Sequence, residues 1–155
     1  MRRYKKMAIA LAVTLCMMPV GCGNSQEKKE LVDGYYTAVM SEYSHGWKEF
    51  VNICVMDNKI VSVEYNARNK AGFIKSWDGV YMRNMNAVQG TYPNHYTRTY
   101  AGRLLDSQGK KEIDLLAGAS SSGGNFQRMT TALLEHARTG NTEIAVVESE
   151  THQEE

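Results

Sequence analysis

The sequence predicts an α+β fold, an antiparallel sheet with helices packed on it, and three observations carry that prediction. Two neighbouring runs alternate apolar and polar residues around a two-residue turn. Later apolar residues recur at helical spacing, and the strand-like runs come before the helix-like ones rather than alternating with them.

The chain opens MRRYKK, continues with the fourteen-residue apolar run MAIALAVTLCMMPV and reaches Gly21 and Cys22. A basic start, an apolar stretch and a small residue before cysteine predict an export signal over residues 1–21, too short to span a bilayer. The stretch resembles a lipobox, with Pro19 where leucine is usual. That resemblance implies acylation of Cys22 with palmitate-like chains and a lipid anchor on the extracellular face of the cell membrane. Two acyl chains at roughly 0.8 kcal/mol per methylene suffice for stable anchoring. Residues 22–30 then form the lipidated cysteine and a polar tether, residues 31–147 one domain, and residues 148–155 an acidic tail.

Loss of the signal removes four of the 18 basic residues and none of the 17 acidic ones, leaving a net charge near −3, which excludes a nucleic-acid binder. With Cys16 removed and Cys22 acylated, Cys54 has no partner, so neither a disulfide framework nor a zinc site is expected. Cys54 reads as a small core residue.

Element by element, residues 35–40 (YYTAVM) have strand composition and SEYSHGW turns the chain. Residues 50–56 place Val51, Ile53 and Val55 on one strand face, and Asp57 and Asn58 make a tight turn. Residues 59–65 return as the second arm of a hairpin, with Val61, Val63 and Tyr65 alternating against polar neighbours. Residues 76–89 set Trp77, Val80, Tyr81, Met85 and Val88 at helical spacing before an exit at Gly90. A second helix follows Pro93, with Tyr96, Tyr100 and Leu104 a turn apart. Residues 111–116 suit a short strand. From Asn125 a helix buries Phe126, Met129, Leu133 and Ala137 and stops at Gly140, and residues 142–147 suit a last strand.

Between the short strand and the helix from Asn125 comes DLLAGASSSGG, residues 114–124. A glycine- and serine-rich turn entering a helix admits two readings: Ser121, Ser122 or Asn125 caps the helix, or its amides receive a phosphate. No lysine follows the glycines, so it is not a Walker loop, and no GxGxxG turn is present.

Asp33-Gly34-Tyr35, the hairpin VNICVMDNKIVSVEYN and DLLAGAS before an alanine- and leucine-rich helix together resemble the bacterial FMN-binding domain over residues 32–139. This domain occurs in flavin-carrying subunits of membrane sodium-pumping and related oxidoreductases. SHGWKEF and SSGGNF are similar to its lipoprotein branch, the flavoproteins of Gram-positive extracellular electron transfer. The resemblance implies FMN as cofactor, held through a phosphodiester that a separate flavin transferase installs from FAD with magnesium. On the family's motif, Asp114 is the opening aspartate, Gly118 and Ala119 the central pair and Ser120 the acceptor hydroxyl, with Ser121 and Ser122 beside the phosphate. Ala117 replaces the usual hydroxyl residue, and serine replaces the commoner threonine at the acceptor. The implied role is electron relay from a membrane quinol or flavoprotein donor, not turnover of a substrate of its own; no catalytic group is predicted. Trp77, Tyr81, Tyr92, Tyr96, Met82, Met85, His45 and His95 are the residues from which contacts to the ring would be drawn. Reversible flavin binding, and a flavin-free surface lipoprotein with an adhesive or assembly role, are the alternatives.

Overall fold

A computed structural model describes residues 30–149. The export signal, Cys22, nearly all of the tether and most of the acidic tail lie outside the described residues. The elements are β1 (Gly34–Met40), β2 (Lys48–Met56), β3 (Lys59–Arg68), α1 (Gly79–Gln89), α2 (Pro93–Ser107), α3 (Ser120–Thr139) and β4 (Ala145–Val147).

The strands form one sheet in the order β3-β2-β1-β4. β1, β2 and β3 pair antiparallel, as expected, but β4 lies parallel to β1, so the sheet is mixed. A parallel neighbour needs a crossover, and α3, which packs on both β1 and β4, supplies it. In the hairpin, Asp57 (φ 50°) and Asn58 (φ 59°) both adopt the left-handed conformation that a two-residue turn between twisted strands requires. The pairing then slips: Val55 faces Ile60 while Cys54 faces Ser62. Val61 is left over in a bulge and turns to solvent, and Ile60 takes the inward place expected for it.

Tyr36, Ala38 and Met40 of β1, Val51, Ile53 and Val55 of β2 and Tyr65 of β3 form the inner face of the sheet. Against it lie Tyr96, Tyr100 and Leu104 of α2 and Phe126, Met129, Leu133 and Ala137 of α3, the stripes that the sequence predicts. Each of the larger aliphatic side chains and Phe126 contributes about 1.5–3 kcal/mol through burial.

Three expected elements differ. Residues 111–116 form no strand: Gln127 Nε2 donates to the Ile113 carbonyl (2.7 Å) and Arg103 Nη1 to that of Asp114, so side chains satisfy this segment in place of a ladder. The helix expected over residues 76–89 is interrupted. A 3₁₀ turn at Lys75–Trp77 ends at Asp78, whose carboxylate caps α1 by accepting from the amides of Val80 (3.1 Å) and Tyr81 (2.9 Å). The third is α3, which begins at Ser120, five residues before Asn125. Serines and glycines are poor helix formers, but contacts from beneath hold this first turn.

Candidate functional site

A cleft of about 780 Å³ opens between α1, the loop at residues 44–47 and the start of α3. Its size falls within the roughly 300–1,000 Å³ of small-molecule and cofactor sites. Tyr81, Met85 and Val88 of α1 form one wall, Trp47 another, Glu49 and Tyr96 the floor, and residues 118–122 with Asn125 the rim.

Trp47 is delivered by a tight turn. Ser44 and Trp47 exchange two backbone hydrogen bonds (2.8 and 2.9 Å), and the intervening His45 (φ 49°) and Gly46 (φ 82°) are both left-handed. The buried indole meets the Tyr81 ring edge-on, with centroids 6.1 Å apart.

The rim is held from below by tyrosines. The Tyr100 hydroxyl donates to the Ala119 carbonyl (3.1 Å) and accepts from the Leu116 amide (2.8 Å). The Tyr65 hydroxyl stands between two acceptors, the Ser122 carbonyl (2.8 Å) and Glu49 Oε1 (2.9 Å). Phe126 packs between their rings, 4.7 Å from Tyr65 and 5.7 Å from Tyr100 by centroid. Gly118 (φ 74°) adopts a backbone conformation that suits glycine, and a β-carbon there would overlap the Gln89 carbonyl at the end of α1. Ala119 is the N-cap residue and no side chain caps α3, so the first-turn amides face the rim without a side-chain acceptor. A 20-residue helix places partial positive charge there.

Two charged groups face the cleft from below. Glu49 is buried; Asn125 Nδ2 donates to its Oε2 (2.6 Å), and Arg128 Nη2 donates to Asn125 Oδ1 (2.6 Å), so both carboxylate oxygens are engaged. Lys75, in the 3₁₀ turn, is also buried, with Nζ 4.7 Å from the Tyr81 ring centroid. Burial, and then the Glu49 charge, push the Tyr65 phenol well above its usual range; the same two causes raise Tyr96, with Ser122 partly offsetting them. Both phenols are therefore neutral at physiological pH. Among the described residues no group of three metal-ligating side chains occurs, and no helix is long and apolar enough to cross a membrane.

The chain is 34% identical, over 115 residues, to the 15 kDa lipoprotein of Treponema pallidum (strain Nichols), a match covering 74% of this chain and 82% of that protein. It belongs to that lipoprotein family. The crystal structure of the CPE2226 protein from Clostridium perfringens, 33% identical, superimposes with a TM-score of 0.73 over 77% of this chain and 99% of that one. No protein-family model matches the chain.

In this member of the 15 kDa lipoprotein family, Gly118, Ala119, Ser120, Ser121 and Ser122 all line the cleft. Asp114 does not: it is exposed and meets Arg103 through its backbone carbonyl. None of Ser121, Ser122 and Asn125 caps α3; the serines are its second and third residues and Asn125 binds Glu49. Of the residues suggested for ring contact, Tyr81, Met85, Tyr96 and His45 line the cleft, whereas Trp77, Met82, Tyr92 and His95 do not. His95 instead pairs with Thr91 Oγ1 (3.0 Å). Sequence reasoning passed over Trp47 as a lining residue, and Glu49 and Lys75 altogether. For Glu49 a signal exists: it continues the alternation of Val51, Ile53 and Val55 and so puts an acid on a buried strand face. Lys75 has none, because its place depends on where the 3₁₀ turn is docked.

Proposed function

We propose that this protein is a membrane-anchored flavoprotein that holds FMN through a phosphodiester to Ser120 and relays electrons at the cell surface. The observation that carries the reading is the position of Ser120: an exposed hydroxyl on the first residue of an uncapped 20-residue helix, on the rim of a cofactor-sized cleft. The residues present fit the group. The α3 amides suit the phosphate, Trp47 and Tyr81 supply aromatic surface, and the Glu49 carboxylate is already occupied by Tyr65 and Asn125.

Bound FMN supplies the electron-accepting ring, so the chain needs neither a nucleophile–base pair nor a substrate pocket of its own. In the attachment, Ser120 Oγ displaces AMP from the FMN-side phosphorus of FAD: an O–P ester forms, the pyrophosphate bond breaks, and the hydroxyl proton goes to solvent. A flavin transferase with magnesium carries out that exchange. Acylated Cys22 anchors the chain, and a membrane quinol or flavoprotein is the electron donor. A covalent link suits an exported carrier because a dissociated cofactor is lost outside the cell.

Production beside a flavin transferase, followed by intact-mass analysis, tests the reading. The expected mass gain is FMN less one water, together with the acyl chains, and Ser120→Ala abolishes the flavin part. Flavin retained in Ser120→Ala overturns the Ser120 assignment in favour of Ser121 or Ser122. Yellow colour that leaves the polypeptide in acid supports reversible binding, which Ala117 in place of a hydroxyl residue favours. A colourless protein supports the flavin-free lipoprotein.

A further inference from the structure

Lys75 is only 9% exposed, and among the residues lining the cleft it is the one lysine or arginine. Its ammonium lies over the Tyr81 ring, and no carboxylate or hydrogen-bond acceptor among the described residues engages it. Lysine is rarely this buried, and here the stem is covered while Nζ keeps contact with solvent and finds no acceptor among the described residues. A cation–π contact provides no lone pair for its three N–H donors. The position is nonetheless built. Ser76, next in the turn, is fastened to the sheet by Asn66, whose Nδ2 donates to Ser76 Oγ (2.8 Å), and Asn66 is itself buried. The turn therefore holds a cation beside the cleft with its donors open to whatever enters.

Charge narrows the class of ligand. The start of α3 brings uncapped amides to the same cleft, and the one carboxylate lining it, Glu49, has both oxygens engaged by Tyr65 and Asn125. Two independent sources of positive potential thus face one cavity whose single carboxylate, still charged, is turned to its own donors, Tyr65 and Asn125.

We propose that Lys75 is an anion-binding residue of this cleft and that, with the α3 amides, it makes the cleft select a phosphorylated ligand over its unphosphorylated counterpart. For a flavin ligand the inference rests on the functional reading above, and it means FMN is preferred to riboflavin through Lys75. Lys75→Met keeps most of the buried stem and the apolar contact with Tyr81 while removing the charge. Lys75→Arg keeps the charge.

The test uses the full chain, detergent-solubilised from a host lacking flavin transferase, titrated with FMN and with riboflavin by flavin fluorescence. Expected is a preference for FMN that Lys75→Met reduces on the order of tenfold to a hundredfold while its riboflavin affinity is retained, and that Lys75→Arg preserves. An unchanged FMN-to-riboflavin ratio in Lys75→Met overturns the proposal. If neither flavin binds, the flavin reading is what suffers, and inorganic phosphate, followed by NMR at the Lys75 side chain, decides the inference separately. A saturable shift at Lys75, with the phosphate response lost in Lys75→Met, sustains it; no shift sinks it.

Discussion

Gly118 and Gly102 show how differently two glycines constrain the chain. At Gly118 a side chain meets both a left-handed backbone and the Gln89 carbonyl, so Gly118→Ala is expected to lower stability by about 2 kcal/mol or more, read from the urea midpoint. Gly102 lies inside α2 with open space around it, and Gly102→Ala should raise the same midpoint by about 0.5–1 kcal/mol. The Tyr65 hydroxyl is the more informative group. Tyr65→Phe removes the one O–H that the Ser122 carbonyl and Glu49 Oε1 share in a buried region, a loss of about 1–3 kcal/mol. A midpoint indistinguishable from wild type would mean that water replaces the hydroxyl. Of these residues, Tyr100 was legible from the sequence as a core position and Tyr65 as an inward strand position. That their hydroxyls support the serine turn was not, because the bonds join residues 57 and 19 apart.

Among the elements, α1 stands apart. Its apolar residues have helical spacing, yet none is buried, and Val80 and Val88 are 59% and 80% exposed. Periodicity reports that a helix has an apolar face but not that anything covers it. α1 is held at its ends, by the Asp78 cap and by the Gly118 turn against Gln89, and along one side it walls the cleft. Its amides should therefore exchange with solvent at least about tenfold faster than those around Met129 and Leu133 in α3, measured by native-state hydrogen exchange. Protection equal to that of α3 would show that α1 opens only with the whole domain. The opposite case is α3, whose first turn is poor in helix formers but fastened by Tyr100 and Tyr65, so local propensity understated it by five residues.

For the molecule as a whole, the buried tyrosines set the alkaline limit. The folded state keeps Tyr65 and Tyr96 protonated above pH 10.0, the ordinary phenol value, where the unfolded chain gives up those protons. The unfolded state is then favoured as it ionises. Their contribution is complete below that value and is lost progressively as pH rises beyond it. Urea midpoints should be level in tyrosine's contribution up to about pH 9 and fall by about pH 11, and Tyr96→Phe should flatten part of that fall. An unchanged slope in the variant would place the alkaline transition elsewhere.

What the sequence determined by itself is what depends on near neighbours along the chain: the Asp57-Asn58 hairpin, the inward stripe of β2, the buried faces of α2 and α3, and hence the α+β class. Alternation and helical periodicity are short-range properties, and they survive folding wherever a single face is covered. Tertiary structure alone decided that β4 runs parallel to β1, that a bulge turns Val61 outward, and that Trp47, Glu49 and Lys75 meet the serine turn around one cleft. These outcomes depend on which distant surfaces exclude water together, and no local spacing encodes that choice.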